Sequence, residues 1–298
     1  MNFASFELSV AAIIPAVILA AYIFFNDRLE REPLPLLALL FAVGGIAYFP
    51  AYYLEKLVVG LIDKAFSDYA IGSIGGIVGY TESWAEYTHG LLVVLIGVAL
   101  IEELIKWAVM FLITFKNKNF NCMYDGIVYA AFVALGFGMV ENVRYAWLGG
   151  WDLLLLKTIT TLPAHLLFAI VMGYLYTMWR THKTARSVEK EYEKKGLITV
   201  KKPFRPWIWF AAMIIIPIIQ HGVYGFAGYF GTPIFNVIFY VLNTATFIAC
   251  IVGVIVLSKK DGLRGRYADM MLDKKYPETK NLCNVVDDIT DEENTNEQ

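Results

Sequence analysis

The sequence predicts an all-α polytopic membrane protein of about seven transmembrane helices bundled around a polar site inside the bilayer. Hydrophobic residues make up 58% of the 298 and charged residues only 17%, where a soluble domain carries about 25% charged. Mean hydropathy is +0.54. Seven apolar runs, near residues 8–26, 34–54, 90–115, 123–147, 154–179, 207–230 and 233–257, approach or exceed the ~20 residues that cross a hydrocarbon core.

The first run follows MNFASFELS, which lacks the basic stretch of a cleavable signal peptide, so it is expected to stay as a helix. Residues 55–89 interrupt the pattern. An amphipathic piece, LEKLVVGLIDKAF, leads through a glycine-rich stretch to acidic TESWAEYTH. This reads as an extracytoplasmic loop with an interfacial helix; a re-entrant segment or an eighth short span is the alternative. The third to sixth runs carry polar residues, and 180–206 forms a basic loop. A membrane-embedded domain is thus expected over 1–268, followed by an acidic tail, 269–298, too polar to fold by itself. No internal repeat or inverted symmetry of broken helices suggests a transporter.

Charge distribution orients the chain. Four segments, after the first, third, fifth and seventh runs, hold 20 of the 25 lysines and arginines, whereas the opposite loops hold only Lys56 and Lys64. The positive-inside rule then places the N-terminus outside and the C-terminus in the cytoplasm of a multi-pass cell-membrane protein. Basic segments of this kind are topology signals, with anionic headgroups as a secondary partner. Nothing suggests nucleic acid. Cys122, Cys250 and Cys283 have neither disulfide nor metal-ligand spacing.

The polar residues inside the runs are the informative ones. A charge in hydrocarbon costs roughly 2.5–3.5 kcal/mol even on the mild insertion scale. Glu102 and Lys106 are four apart and share a helix face, and Glu103 lies on the adjoining edge. Adjacent glutamates in low dielectric repel each other, and a carboxyl that exchanges a proton near neutral pH suits general acid–base work. The plainer alternative is an ion pair that only fixes packing. Glu141 is followed by Asn142 and Arg144, and the plain alternative there is a Glu141–Arg144 pair. His165 and His221 lie in the next two runs. At about 1.5 Å per residue, Glu102 sits roughly 18 Å from the outer end of its run, Glu141 roughly 9 Å, His165 roughly 16 Å and His221 roughly 13 Å. Such agreement implies one cavity, open to water from outside.

In this order the residues resemble the PrsW family of intramembrane proteases, relatives of the CAAX-processing and bacteriocin-immunity membrane proteases. The resemblance rests on Asp27-Arg-Leu-Glu-Arg-Glu-Pro33, Glu102-Glu103-x-x-Lys106 and Asp125-Gly126. It continues through Phe137-x-x-x-Glu141-Asn142, His165 with Gly173, and His221-Gly-Val-Tyr. In the CAAX relatives a histidine stands where Glu141 stands here. The family usually carries aspartate where this chain has Gly225. What the resemblance implies is proteolysis of a membrane protein near its extracytoplasmic boundary, with a single-pass anti-sigma factor as the expected substrate.

The expected chemistry is peptide hydrolysis by an activated water. Glu102 is the expected base, with Glu103 held by Lys106. His165, His221 and Glu141 would either ligate zinc, which takes nitrogen and carboxylate donors, or polarise the carbonyl without a metal. No His-Glu-x-x-His helix decides for zinc. Two other functions fit the same residues: a proton-coupled transporter or channel, since carboxylate and histidine chains also relay protons, and a non-catalytic membrane scaffold.

Overall fold

The computed structural model describes residues 3–66 and 84–279. Among these the chain is helical, with one isolated antiparallel bridge between Cys122 and Leu263. The helices are α1 (Phe3–Asn26), α2 (Leu34–Phe66), α3 (Trp84–Leu92), α4 (Leu100–Thr114), α5 (Asp125–Lys194), α6 (Pro206–Tyr229), α7 (Pro233–Lys259) and α8 (Arg264–Lys275). Helices α1, α2, α5, α6 and α7 are each long and apolar enough to cross a membrane. Their outer faces carry large exposed hydrophobic side chains such as Ile18, Val17, Ile234 and Val241, as a lipid-facing surface requires.

Three sequence expectations change. Helix α2 does not stop near 54: it runs unbroken to Phe66, passing Gly60 with no proline after Pro50. The amphipathic start of the expected loop is therefore its last turns. The glycine-rich part of that loop, 67–83, lies outside the described residues, as does the tail from 280. The expected basic loop at 180–206 is helical through Lys194. Its helix packs against α8 in a small core of Ala185, Val188, Tyr192, Ile198, Ala268, Leu272 and Tyr276. That core forms around buried Glu189, whose carboxylate accepts hydrogen bonds from Arg186 (2.5 Å), Lys275 (2.5 Å), Tyr276 (2.6 Å) and the Phe204 amide (3.0 Å). The expected division at 268/269 consequently falls inside α8.

Helix α5 is two limbs. Gly150 has φ +63° and ψ −150°, a conformation open essentially to glycine alone. The limbs 125–149 and 151–194 then lie side by side in opposite directions. Gly126 meets the Gly173 backbone, Gly138 meets the His165 ring, and Asn142 donates to Thr158 Oγ1 at 3.0 Å. These limbs correspond to the fourth and fifth apolar runs. The third run is continuous from α3 to α4 through a π-helical segment, Val93–Ala99. There the Leu100 amide bonds Leu95 O, five residues back. Such bulges cluster at functional sites, and this one ends three residues before Glu102.

Close helix crossings set the bundle. A Cβ on Gly136 would stand 2.0 Å from Phe41 O, and one on Gly44 would stand 2.2 Å from Val133 O. Helix α2 and the first limb of α5 thus touch backbone to backbone, as small residues permit in membranes. Backbone cannot yield as a flexible side chain can. Gly136→Ala is expected to destabilise the protein by roughly 1–3 kcal/mol, read as a lowered midpoint of thermal unfolding in detergent. An unchanged midpoint would mean that the crossing has room for a methyl group.

Candidate active site

Four helical elements bring the six expected residues together. Helix α4 supplies Glu102, Glu103 and Lys106, the first limb of α5 supplies Glu141, the second supplies His165, and α6 supplies His221. All six are buried, from 2% exposed for Lys106 to 9% for His221. Pro163 lies within one helical turn of His165, and Pro217 is four residues before His221. Both are tolerated because neighbouring groups in a bundle can satisfy the freed carbonyls.

Lys106 is the hub. Its ammonium lies 2.7 Å from Glu102 Oε2, 2.9 Å from Glu103 Oε1 and 2.9 Å from His165 Nδ1. It also sits 4.4 Å from the centre of the Phe137 ring, an attractive cation–π arrangement. An ammonium only donates. His165 Nδ1 must therefore accept, and its proton is on Nε2, which donates to Glu141 Oε2 at 2.7 Å; this tautomer is assigned from the network. Both nitrogens of His165 are engaged. His221 differs. Its Nδ1 donates to Glu103 Oε1 at 2.9 Å, which leaves a lone pair on Nε2 of the neutral ring. Phe168 stacks on that ring at 5.1 Å and 20°, fixing its plane.

The donor atoms that converge are not the set expected from sequence. Among the described residues, Glu102, Glu103 and His221 place ligand atoms within 4.8 Å of one another; His165, His221 and Glu141 form no such group. The physical reason is His165, whose two nitrogens are taken by Lys106 and Glu141. Two carboxylates and an imidazole suit zinc with one position left for water. The residues present fit that metal on donor chemistry.

Several neighbours complete the picture. Glu141 pairs with His165 and not with Arg144, whose guanidinium lies 4.5 Å above the Tyr52 ring. Asn142 finds its partner in Thr158. Gly225 has a packing reason: a Cβ there would come within 2.6 Å of Val94 Cγ1, and one on Gly222 within 2.5 Å of Leu95 Cδ1. Helix α6 lies that close to the π segment, so an aspartate side chain at 225 would need Val94 to move. One residue was missed by the sequence reading. Glu55, assigned to a loop, lies on α2 within the fields of Glu102, Glu141, Lys106 and Arg144. Its Oε1 is buried without a hydrogen-bond partner. The unbroken stretch 51–59 was the available signal.

Comparison with known proteins points one way. The family described as PrsW family intramembrane metalloprotease matches residues 32–254, which include all six residues. Protease PrsW of Oceanobacillus iheyensis is 28% identical over 218 residues, covering 72% of this chain and 80% of its own. Protease PrsW of Bacillus subtilis is 25% identical over 243 residues, covering 82% and 91%. Protease PrsW of Clostridioides difficile is 30% identical over 224 residues, covering 74% and 78%. No solved structure matches.

Proposed function

The chain belongs to the PrsW family of intramembrane proteases, and from that premise we propose that it hydrolyses a single-pass membrane protein of the anti-sigma-factor class near its extracytoplasmic boundary. What carries the reading is the Lys106-centred group of Glu102, Glu103, His165 and His221, polar and buried in helices otherwise built for lipid. Seven crossings with the N-terminus outside are part of the same proposal. They are supported by the turn at Gly150 and by the placement of 20 of 25 basic residues.

Glu102 takes a proton from water as the water oxygen attacks the scissile carbonyl carbon. When the carbon–nitrogen bond breaks, the same carboxyl returns the proton to the departing amine. Lys106 donates to both adjacent carboxylates, and its positive charge favours the oxyanion that forms on the carbonyl. Glu103 orients His221, while Glu141 fixes the tautomer of His165 and thereby the acceptor that Lys106 needs. In the zinc version Glu102, Glu103 and His221 would instead hold the metal, which would acidify a bound water and act as a Lewis acid, and the roles of base and orienter just given belong to the metal-free version. A metal-free version keeps support from Lys106, which already places one cation against both carboxylates.

Purified protein in liposomes with a single-pass substrate decides between the versions. The expected result is cleavage that stops when a chelator removes the metal and returns with zinc, at one zinc per chain by elemental analysis. Full cleavage by metal-free protein would leave the glutamate version standing alone. Failure of folded, zinc-loaded protein to cut any single-pass substrate would overturn the substrate class.

A further inference from the structure

Cutting a membrane helix requires opening it. In a helix each carbonyl is tied to the amide four residues on, so a substrate segment must unwind before water can attack its scissile bond. Every amide freed in this way is costly in hydrocarbon unless the enzyme offers it an acceptor.

The catalytic group has few acceptors to spare. Lys106 directs its ammonium at Glu102, Glu103 and His165, three partners for its three protons. Glu103 Oε1 accepts from both Lys106 and His221. Glu141 Oε2 accepts from His165, whose other nitrogen faces Lys106. Beside this network, among the described residues, Glu55 Oε1 is buried with no hydrogen-bond partner.

Helix α2 and the first limb of α5 run side by side in the same direction, which places Glu55. Gly44 meets the Val133 backbone, the Tyr48 and Phe137 rings are 5.4 Å apart, and the Arg144 guanidinium lies 4.5 Å over the Tyr52 ring. Phe137 in turn touches Lys106 and His165. Glu55 is three residues past Tyr52, as Arg144 is three residues past Glu141. Its carboxylate therefore stands beside the catalytic group towards the Gly150 turn, the expected outer side. The charges that act on it are Glu102, Glu141, Lys106 and Arg144. Two of these are positive and compensate it, yet neither donates to Oε1. Lys106 is spent on its own three partners, and Arg144 lies on Tyr52 within reach of the Tyr48 hydroxyl. Glu55 is only half-buried as a residue, so one side of it is open to a ligand.

We propose that Glu55 is a substrate-binding residue whose free oxygen accepts a backbone N–H of the segment unwound next to the scissile bond. This assignment rests on the proteolytic reading above and supplies an acceptor for the unwound chain. A backbone amide is the fitting ligand because every single-pass substrate presents it, whatever its side chains. A buried acceptor without a donor destabilises the free protein, and a bound N–H removes that penalty.

The test uses full-length protein in liposomes and a synthetic single-pass peptide with a leucine–alanine span, its cleavage site mapped by mass spectrometry. Glu55→Leu should lower kcat/KM about 10-fold, the effect of one hydrogen bond to a charged acceptor. It should not lower the unfolding midpoint, because an acceptor that lacked a donor is gone, whereas loss of a structural residue would lower both. Glu55→Gln keeps an acceptor oxygen and should stay within about threefold of wild type. Replacing the amides that flank the scissile bond by esters, one at a time, removes one N–H each. One such ester should cost the wild type about 10-fold and cost Glu55→Leu protein nothing further, the signature of a shared contact.

Three results would each overturn the proposal: Glu55→Leu protein that cuts at the wild-type rate, Glu55→Gln as damaged as Glu55→Leu, and ester losses that add to the Glu55→Leu loss at every position. The second of these would mean that the charge itself is used. Binding of the same peptide to Glu102→Gln protein, read by fluorescence anisotropy, should also weaken when Glu55→Leu is added. Peptide that binds in this Glu55-dependent way but is never cut by the wild type would remove the hydrolytic reading and leave the binding role of Glu55 in place.

Discussion

Glu102→Gln is expected to slow cleavage of a single-pass substrate by roughly 10²–10⁴-fold, the usual share of general acid–base catalysis, while leaving the fold in place. The amide matches the carboxylate in shape and its oxygen can still accept from Lys106. Lys106 also keeps its bonds to Glu103 and to His165 Nδ1. What disappears is the ability to take a proton from water. Turnover and unfolding midpoint should be measured together, along with zinc content. Lost turnover with zinc retained marks a base, and lost turnover with zinc lost marks a ligand. Near-normal turnover would remove Glu102 from the chemistry and move attention to Glu141, the next carboxylate in the group.

Lys106→Met is expected to destabilise the protein by about 3–5 kcal/mol, the cost of breaking a buried ion pair on one side. Its ammonium contacts two carboxylates that are 3% and 2% exposed. Without it, Glu102 and Glu103 would be adjacent anions in low dielectric, and His165 Nδ1 would lose its donor. Methionine keeps the length and the contact with Phe137, so packing loss is small. Combining Lys106→Met with Glu103→Gln should recover part of the stability, because one of the stranded charges is removed. A double-mutant cycle on the unfolding midpoint measures this coupling. A Lys106→Met protein as stable as the wild type would show that the carboxylates are neutralised in another way, with protons or a bound metal the candidates.

Much of the site was legible because its residues are chemically out of place. Glu102, Glu103, Lys106, Glu141, His165 and His221 each interrupt an apolar run, and all six meet within one network. Glu55 was hidden because it lies past the apolar stretch of α2, where a helix end and a loop look alike in composition. The folding of 180–194 against α8 was hidden for a related reason. Its small core is amphipathic and depends on Glu189 meeting Lys275 and Tyr276, residues almost ninety positions away.

That the chain spans a membrane as helices, which faces of those helices carry charge, and which family it joins can all be read from the residues in order. A bilayer requires each crossing segment to satisfy its own backbone, so that information is written locally, within windows of about 20 residues. Which atoms meet depends on how the helices pack. Packing set Glu141 against His165 and not Arg144, it spent both nitrogens of His165, and it gathered Glu102, Glu103 and His221 as donors. Those choices follow from the rotation and depth of each helix, which are set by backbone contacts such as Gly136 with Phe41 and Gly126 with Gly173. Such contacts join residues far apart along the chain.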